Sequence, residues 1–193
     1  MYKIPTEILI GEQSYVIRER GDYRMILDCF SVLEDMELTK EERILTCLLI
    51  FYEKFETLDD ILSDENIHEL VMKMFWFMSC GNDSEATSHQ RKLMDWEQDE
   101  QLICSAVNSV AHMEVRMADY IHWWTFMGYY MSIGECLYST ILSIRDKILN
   151  GKKLEKYERE FKLRNPQYFV WNSKTTEQQE ADAWLKTVWN SGK

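Results

Sequence analysis

Apolar positions along this chain change their period once. Near the start, Glu7-Ile8-Leu9-Ile10 and Tyr15-Val16-Ile17-Arg18 are short β-prone runs on either side of Gly11-Glu12-Gln13-Ser14, the pattern of a hairpin with a four-residue turn. After that the period is helical. Asp22 can cap a helix whose apolar residues Tyr23, Ile26, Leu27, Phe30 and Leu33 recur at three and four residues. Thr39-Lys40-Glu41-Glu42 has capping-box spacing and opens a stripe of Ile44, Leu48, Phe51 and Phe55. Thr57 to Asp60 repeats the start signal for a short turn. Ser63 or Asp64 then begins a helix through Ile67, Leu70, Val71, Met74 and Met78, which Gly81 stops.

Residues 81–91 are polar and without period, and are expected to form a mobile loop. Beyond it, Trp96, Ile103, Val107 and Val110 predict another helix. Asp119 to Met131 is dense in aromatics, and Leu137, Ile141, Ile144 and Ile148 form a stripe that ends near Gly151. Lys152 to Arg164 alternates charge as an exposed helix does, and Asn165-Pro166 breaks it. The expectation is a mainly α, multi-helix protein with a small N-terminal β-hairpin and a C-terminal helical extension. Its parts are 1–80, hairpin plus helices; 81–91, the loop; 92–164, an aromatic-rich helical part packed on the first; and 165–193, an extension with a short amphipathic helix.

Composition supports folding and narrows the class. Of the 193 residues 46% are apolar, with seven Trp, ten Tyr and eight Phe, too much apolar surface to stay disordered. Only two Pro and seven Gly favour helices over a many-turned sandwich. The five cysteines, odd in number and set in apolar or helical stretches, predict reduced core thiols of a cytosolic protein. No stretch has a signal-peptide pattern or an apolar run that a bilayer needs, so no membrane association is expected. The net charge of −11 is uneven: residues 1–100 hold 23 acids and 10 bases, residues 101–193 hold 10 and 12. The acidic half argues against nucleic acid. Arg145 to Arg164 gathers eight bases and four acids, which could touch an acidic partner or RNA, but a solvated helix face is the better reading.

Residues for chemistry are sparse. The four histidines have no i, i+4 pair, and no CxxC, glycine-rich phosphate loop or GxSxG elbow occurs. No catalytic residue, metal site or cofactor is expected. Asp95, Glu97, Asp99 and Glu100 could form an acid/base pair or a Mg²⁺ site, but an acidic first turn favoured by the helix dipole is the better reading. In Tyr120-Ile121-His122-Trp123-Trp124-Thr125-Phe126, adjacent Trp rings on a helix point about 100° apart. That predicts a central helix touched on several sides, with most of these rings in the core and His122 satisfying a hydrogen bond. The cluster Trp184, Leu185, Val188 and Trp189 either docks on the parent domain or anchors in another protein's groove.

Met94-Asp95-Trp96-Glu97-Gln98-Asp99-Glu100, then His122-Trp123-Trp124-Thr125-Phe126, then Ile141-Leu142-Ser143-Ile144-Arg145 resemble, in order and approximate spacing, three blocks of the bacteriophage gene-product-fifteen family. The opening hairpin and Asp22-Tyr23-Arg24 resemble its start, so the resemblance covers roughly residues 6–164. Trp96 stands where Phe is usual, and Asn108 to Glu114 departs from the glycine and acidic pattern expected before the His-Trp-Trp block. The resemblance implies a place among siphophage or prophage tail genes, beside the tape measure gene. It also implies the role usual there: a tail assembly chaperone that binds the tape measure protein and helps recruit the tail tube protein. No catalytic residues come with the family. The motif residues His122, Trp123, Trp124, Phe126, Asp95, Glu97 and Asp99 are expected mainly in the core. Trp184, Leu185, Val188 and Trp189 are the candidate partner contacts, with Lys152, Lys153 and Lys156 second, and self-association is possible. The rival readings are a tail or connector component retained in the virion, an enzyme using Asp95 and Asp99, and a prophage regulator acting on the host.

Overall fold

The computed structural model describes residues 3–82 and 92–171. It is mainly helical: eight α-helices follow one two-stranded antiparallel hairpin among the described residues. The loop expected over 81–91 falls largely, and the Trp184 to Trp189 cluster wholly, outside the described residues.

β1 (Glu7–Ile10) and β2 (Gln13–Val16) pair with Ile10 opposite Gln13, so the turn is the two residues Gly11-Glu12 rather than four. Gly11 sits at φ +58°, the left-handed backbone that a tight two-residue hairpin needs and that glycine adopts without a Cβ penalty. The shorter turn turns Tyr15 fully inward. Its hydroxyl donates to Asp64 at 3.0 Å.

The helix starts lie where the capping residues put them. Asp22 accepts from the Arg24 amide to open α1 (Tyr23–Glu34), and Thr39 and Glu42 form the reciprocal box of α2 (Lys40–Phe51). Thr57 and Asp60 form a second box on the five-residue α3 (Leu58–Leu62). α4 (Ile67–Met78) begins after Asn66, later than Ser63 or Asp64. Asp64 is otherwise engaged: its carboxylate takes the Tyr15 hydroxyl, the Asn66 amide and, at 2.6 Å, the Lys54 ammonium. α4 closes on a Schellman motif, with the Cys80 amide on the Phe77 carbonyl and the Gly81 amide on the Trp76 carbonyl. The left-handed residue after the cap is Cys80, at φ +56°, and Gly81 follows at +82°.

α5 (Glu100–Ala111) ends on His112 at φ +55°, the position glycine usually fills, which is how the Asn108 to Glu114 segment turns without one. Asn108 braces that turn by donating to Glu114 and accepting from the Val115 amide, both at 2.8 Å. α6 (Trp123–Met131) and α7 (Leu137–Leu149) follow, then α8 (Lys156–Arg164), which Asn165-Pro166 ends as expected.

Two compact units result, residues 1–140 and 141–193. In the first, Ile26, Leu48, Phe51, Tyr52, Leu70, Phe77, Trp123 and Phe126 form a core from α1, α2, α4 and α6, with Tyr15 and Ile17 of the hairpin. In the second, Lys147 of α7 pairs with the buried Glu158 of α8 at 2.6 Å. This bond, before the Glu155 amide, holds the Glu158 carboxyl below the usual carboxylate range. No helix among the described residues is long and apolar enough to cross a membrane.

A turn of unusual backbone joins the hairpin to α1. Glu19, Arg20 and Gly21 take φ of +50°, +54° and +77° in succession. The Arg18 guanidinium holds it on one side, reaching the carbonyls of Leu49, Ile50, Tyr52 and Phe55 at 3.0–3.2 Å and so capping the end of α2. Only glycine fits at 21, because a Cβ there would lie 2.6 Å from Phe77 Cζ and 3.2 Å from His122 Nε2. Gly21→Ala therefore combines a left-handed strain with a collision against core rings. It is expected to cost at least ~2 kcal/mol, a fall in Tm of roughly 4–8 °C for a chain of this size. A melting curve within 2 °C of wild type would refute this account of the turn.

Candidate functional site

The His-Trp-Trp block is a device for holding helix ends. His122 is the N-cap of α6: its Nδ1 accepts from the Trp124 amide at 3.1 Å, so Nε2 carries the proton and donates to the Pro5 carbonyl at 2.9 Å. Trp123 Nε1 donates to the Met78 carbonyl and Trp124 Nε1 to the Phe77 carbonyl, both at 2.9 Å. The two rings diverge from successive positions on α6, yet both indole N–H groups end on consecutive carbonyls of the last turn of α4. Those are groups that a helix leaves without internal partners. Trp123 and Phe126 are fully buried, and Trp124 is half-buried against Trp76, Phe77 and Gly81.

Asp22-Tyr23-Arg24 comes to the same place. Asp22 and His122 form an antiparallel bridge, in which the Tyr23 amide donates to the Ile121 carbonyl and the Ile121 amide to Asp22 Oδ2, each at 2.9 Å. Asp22 Oδ1 takes the Arg24 amide and guanidinium, and Arg24 also reaches the Ala118 carbonyl. Tyr23 stacks on Phe126 with centroids 4.4 Å apart and planes 1° from parallel. Blocks about a hundred residues apart in sequence thus form one buried node.

The acidic block is also spent on backbone. Asp95 accepts from the Glu97 and Gln98 amides at 2.9 and 2.7 Å and pairs with Lys92 at 2.6 Å, bonds that hold its carboxyl below the usual range against the opposing pull of burial. The buried Asp99 reaches back to the Asp95 amide at 3.1 Å, and Glu97 faces solvent. These bonds close a turn just ahead of α5, so of the acidic block only Glu100 lies in the helix's first turn, and the N-cap Asp99 makes no side-chain cap bond there. Among the described residues no three His, Cys, Asp or Glu side chains are grouped to hold a metal ion. Trp96, between Asp95 and Glu97, packs on Phe30, Trp123 and Tyr130.

The second unit holds what the charge pattern concealed. Lys152, Lys153 and Lys156 are exposed, Lys152 within 3.6 Å of Asp146. Beside them is a groove of about 540 Å³ walled by Leu154, Leu163, Pro166, Phe169 and Val170, with Arg159 and Lys162 in its lining. Leu163 is 80% exposed and Val170 63%. Arg145, last residue of the third block, anchors the groove's far wall: its Nε donates to the Tyr168 carbonyl at 2.8 Å and its guanidinium lies 4.5 Å from the Trp171 ring centroid. These groove residues escape sequence reasoning because single apolar residues within and on either side of a charged helix look like ordinary surface.

Together these features define a helical protein whose aromatic and capping motifs secure its own fold and whose C-terminal unit carries an open apolar groove. The model of the family described as Bacteriophage Gp15 protein matches residues 3–168, and the chain belongs to that family. No curated protein and no solved structure matches it.

Two measurements probe the node. Trp123→Phe strands a buried carbonyl and is expected to cost ~1–3 kcal/mol in urea unfolding. Trp124→Phe should cost less, since the Phe77 carbonyl keeps the Cys80 amide as a donor; the reverse order would overturn the assignment. Burial lowers the His122 pKa below its ordinary value of 6.5, despite the Pro5 bond and Asp22 nearby. The unfolded chain therefore binds the extra proton more readily, and stability present above pH 6.5 is lost as pH falls toward the folded value. His122→Asn keeps a capping side chain without the titration, so the fall in stability between pH 7.5 and 5.5 should be smaller in that variant. Equal slopes would exclude His122 as a contributor.

Proposed function

We propose that this chain is a phage tail assembly chaperone that acts in the host cytoplasm by binding the tape measure protein and helping to recruit the tail tube protein. Membership of the Gp15 family is the observation that carries the reading. The physical features agree with it. A chaperone for a long apolar helical chain needs apolar contact surface and enough charge to keep the complex dispersed. Here the net charge of −11 sits mostly before residue 100, and an open apolar groove lies in the other part of the chain.

The proposed contacts are Trp184, Leu185, Val188 and Trp189 in the C-terminal extension of residues 165–193, with the exposed Lys152, Lys153 and Lys156 as electrostatic support. Aromatic anchors supply most of the energy in such interfaces, while flanking charges chiefly set encounter rate and orientation. On this reading the Asp95, Glu97 and Asp99 carboxylates and the His122 ring serve folding, and the protein carries out no chemistry.

Co-expression of the tagged full-length chain with the tape measure protein tests this directly. Wild type should hold the tape measure protein in the soluble fraction and co-purify with it. Trp184→Asp with Trp189→Asp should reduce recovery at least tenfold, as expected for the loss of two aromatic anchors worth ~2 kcal/mol or more. An insoluble, unbound tape measure protein would overturn the reading. Finding the chain in purified particles would make it a virion component instead.

A further inference from the structure

The groove of the second unit has a partner of matching chemistry at the end of its own chain. Its walls are apolar, and Arg159 and Lys162 in its lining make it basic. The described chain ends at Trp171, held by Arg145 next to the wall residues Phe169 and Val170, and 22 residues follow. Between Lys174 and Lys186 that remainder contains Glu177, Glu180 and Asp182 and no base. Its apolar residues Ala181, Trp184, Leu185, Val188 and Trp189 stand at i, i+3, i+4, i+7 and i+8, the spacing of one helix face.

Acidic residues leading into an apolar face complement a groove whose basic side chains lie beside apolar walls. The tether is adequate: the residues from Asn172 to Glu180 reach up to ~30 Å when extended, and they start at the edge of the groove. A short tether of this kind holds its end at an effective concentration in the millimolar range. Even a weak contact is then mostly formed. The groove's volume falls within the ~300–1,000 Å³ of sites that enclose apolar groups, whereas a large aliphatic residue as exposed as Leu163 gains nothing from open water.

We propose that this groove is the docking site of the chain's own Glu177–Trp189 segment, which seats its Trp184/Leu185/Val188/Trp189 face against Leu163, Phe169 and Val170. Docking shields the aromatic cluster while no partner is present, and a partner that binds the cluster must draw it out. The inference concerns this chain alone and is tested without any other protein, so its failure and that of the tape measure reading are separate events.

The probe is a fluorescent synthetic peptide spanning Thr175–Lys193, titrated by anisotropy against full-length proteins. The Trp184→Asp/Trp189→Asp protein has an empty groove and should bind the peptide. Wild type, with the groove filled from its own tether, should bind at least ~10-fold more weakly. Adding Leu163→Asp to the double variant should abolish binding without changing its melting curve, because Leu163 is a solvent-facing side chain. Adding Lys162→Glu should weaken binding several-fold. No binding to the double variant, equal binding to wild type and double variant, or indifference to Leu163→Asp overturns the proposal. Wild type sedimenting as a dimer that the double variant does not form also overturns it, by assigning the groove to a second copy's segment.

Discussion

The first unit depends on the burial of one short backbone bridge, Asp22 against His122, between the end of the hairpin turn and the start of α6. A buried carboxylate is tolerable only when its lone pairs are taken, and here the Ile121 amide and the Arg24 amide and guanidinium take them. The bridge sets where α1 and α6 begin. Once α6 begins there, its first two residues reach the end of α4, where the Trp123 indole N–H bonds the Met78 carbonyl and the Trp124 indole N–H joins the Cys80 amide on the Phe77 carbonyl. The same geometry leaves no room for a side chain at residue 21. Capping, aromatic packing and the left-handed turn are therefore one coupled arrangement, in which truncating any member exposes a polar group that another member was covering.

The motifs that carry the family resemblance divide between this node and the other unit. Asp22-Tyr23-Arg24, the Asp95 block and His122-Trp123-Trp124 serve the first unit, and Arg145 serves the second by holding Tyr168 and Trp171. Residues so rare in combination invite a catalytic reading, but polar side-chain atoms of Asp22, Asp95, Asp99, His122, Trp123 and Trp124 bond to backbone groups. The groove that is open is lined by residues outside those motifs.

Local grammar was legible over most of the chain. Asp22, Thr39 and Thr57 announced helix starts because a capping side chain acts within three residues of itself. The stripes through Ile26, Leu48, Leu70, Val107 and Ile141 announced which faces turn inward. Where the reading slipped, a distant residue had intervened. Asp64 could not open α4 because Tyr15 and Lys54 already held its carboxylate. The hairpin turn was shorter because pairing of Ile10 with Gln13 continued the ladder. His112 supplied a left-handed turn that composition would assign to glycine, held by Asn108 and Glu114 across it.

By itself, then, the sequence determined a mainly helical class, the caps, the inward faces and the uneven charge, because these follow from interactions within about one helical turn or from composition. Only the tertiary structure decided what the unusual residues are for. That Trp123 and Trp124 converge on one helix end, that Asp22 meets His122, and that Leu163 and Val170 face a common groove with Phe169 are all matters of long-range placement. Spacing along a chain says which residues share a face. It does not say which orphaned carbonyl, ring or open surface that face will meet, since that depends on how separate elements fill the same volume.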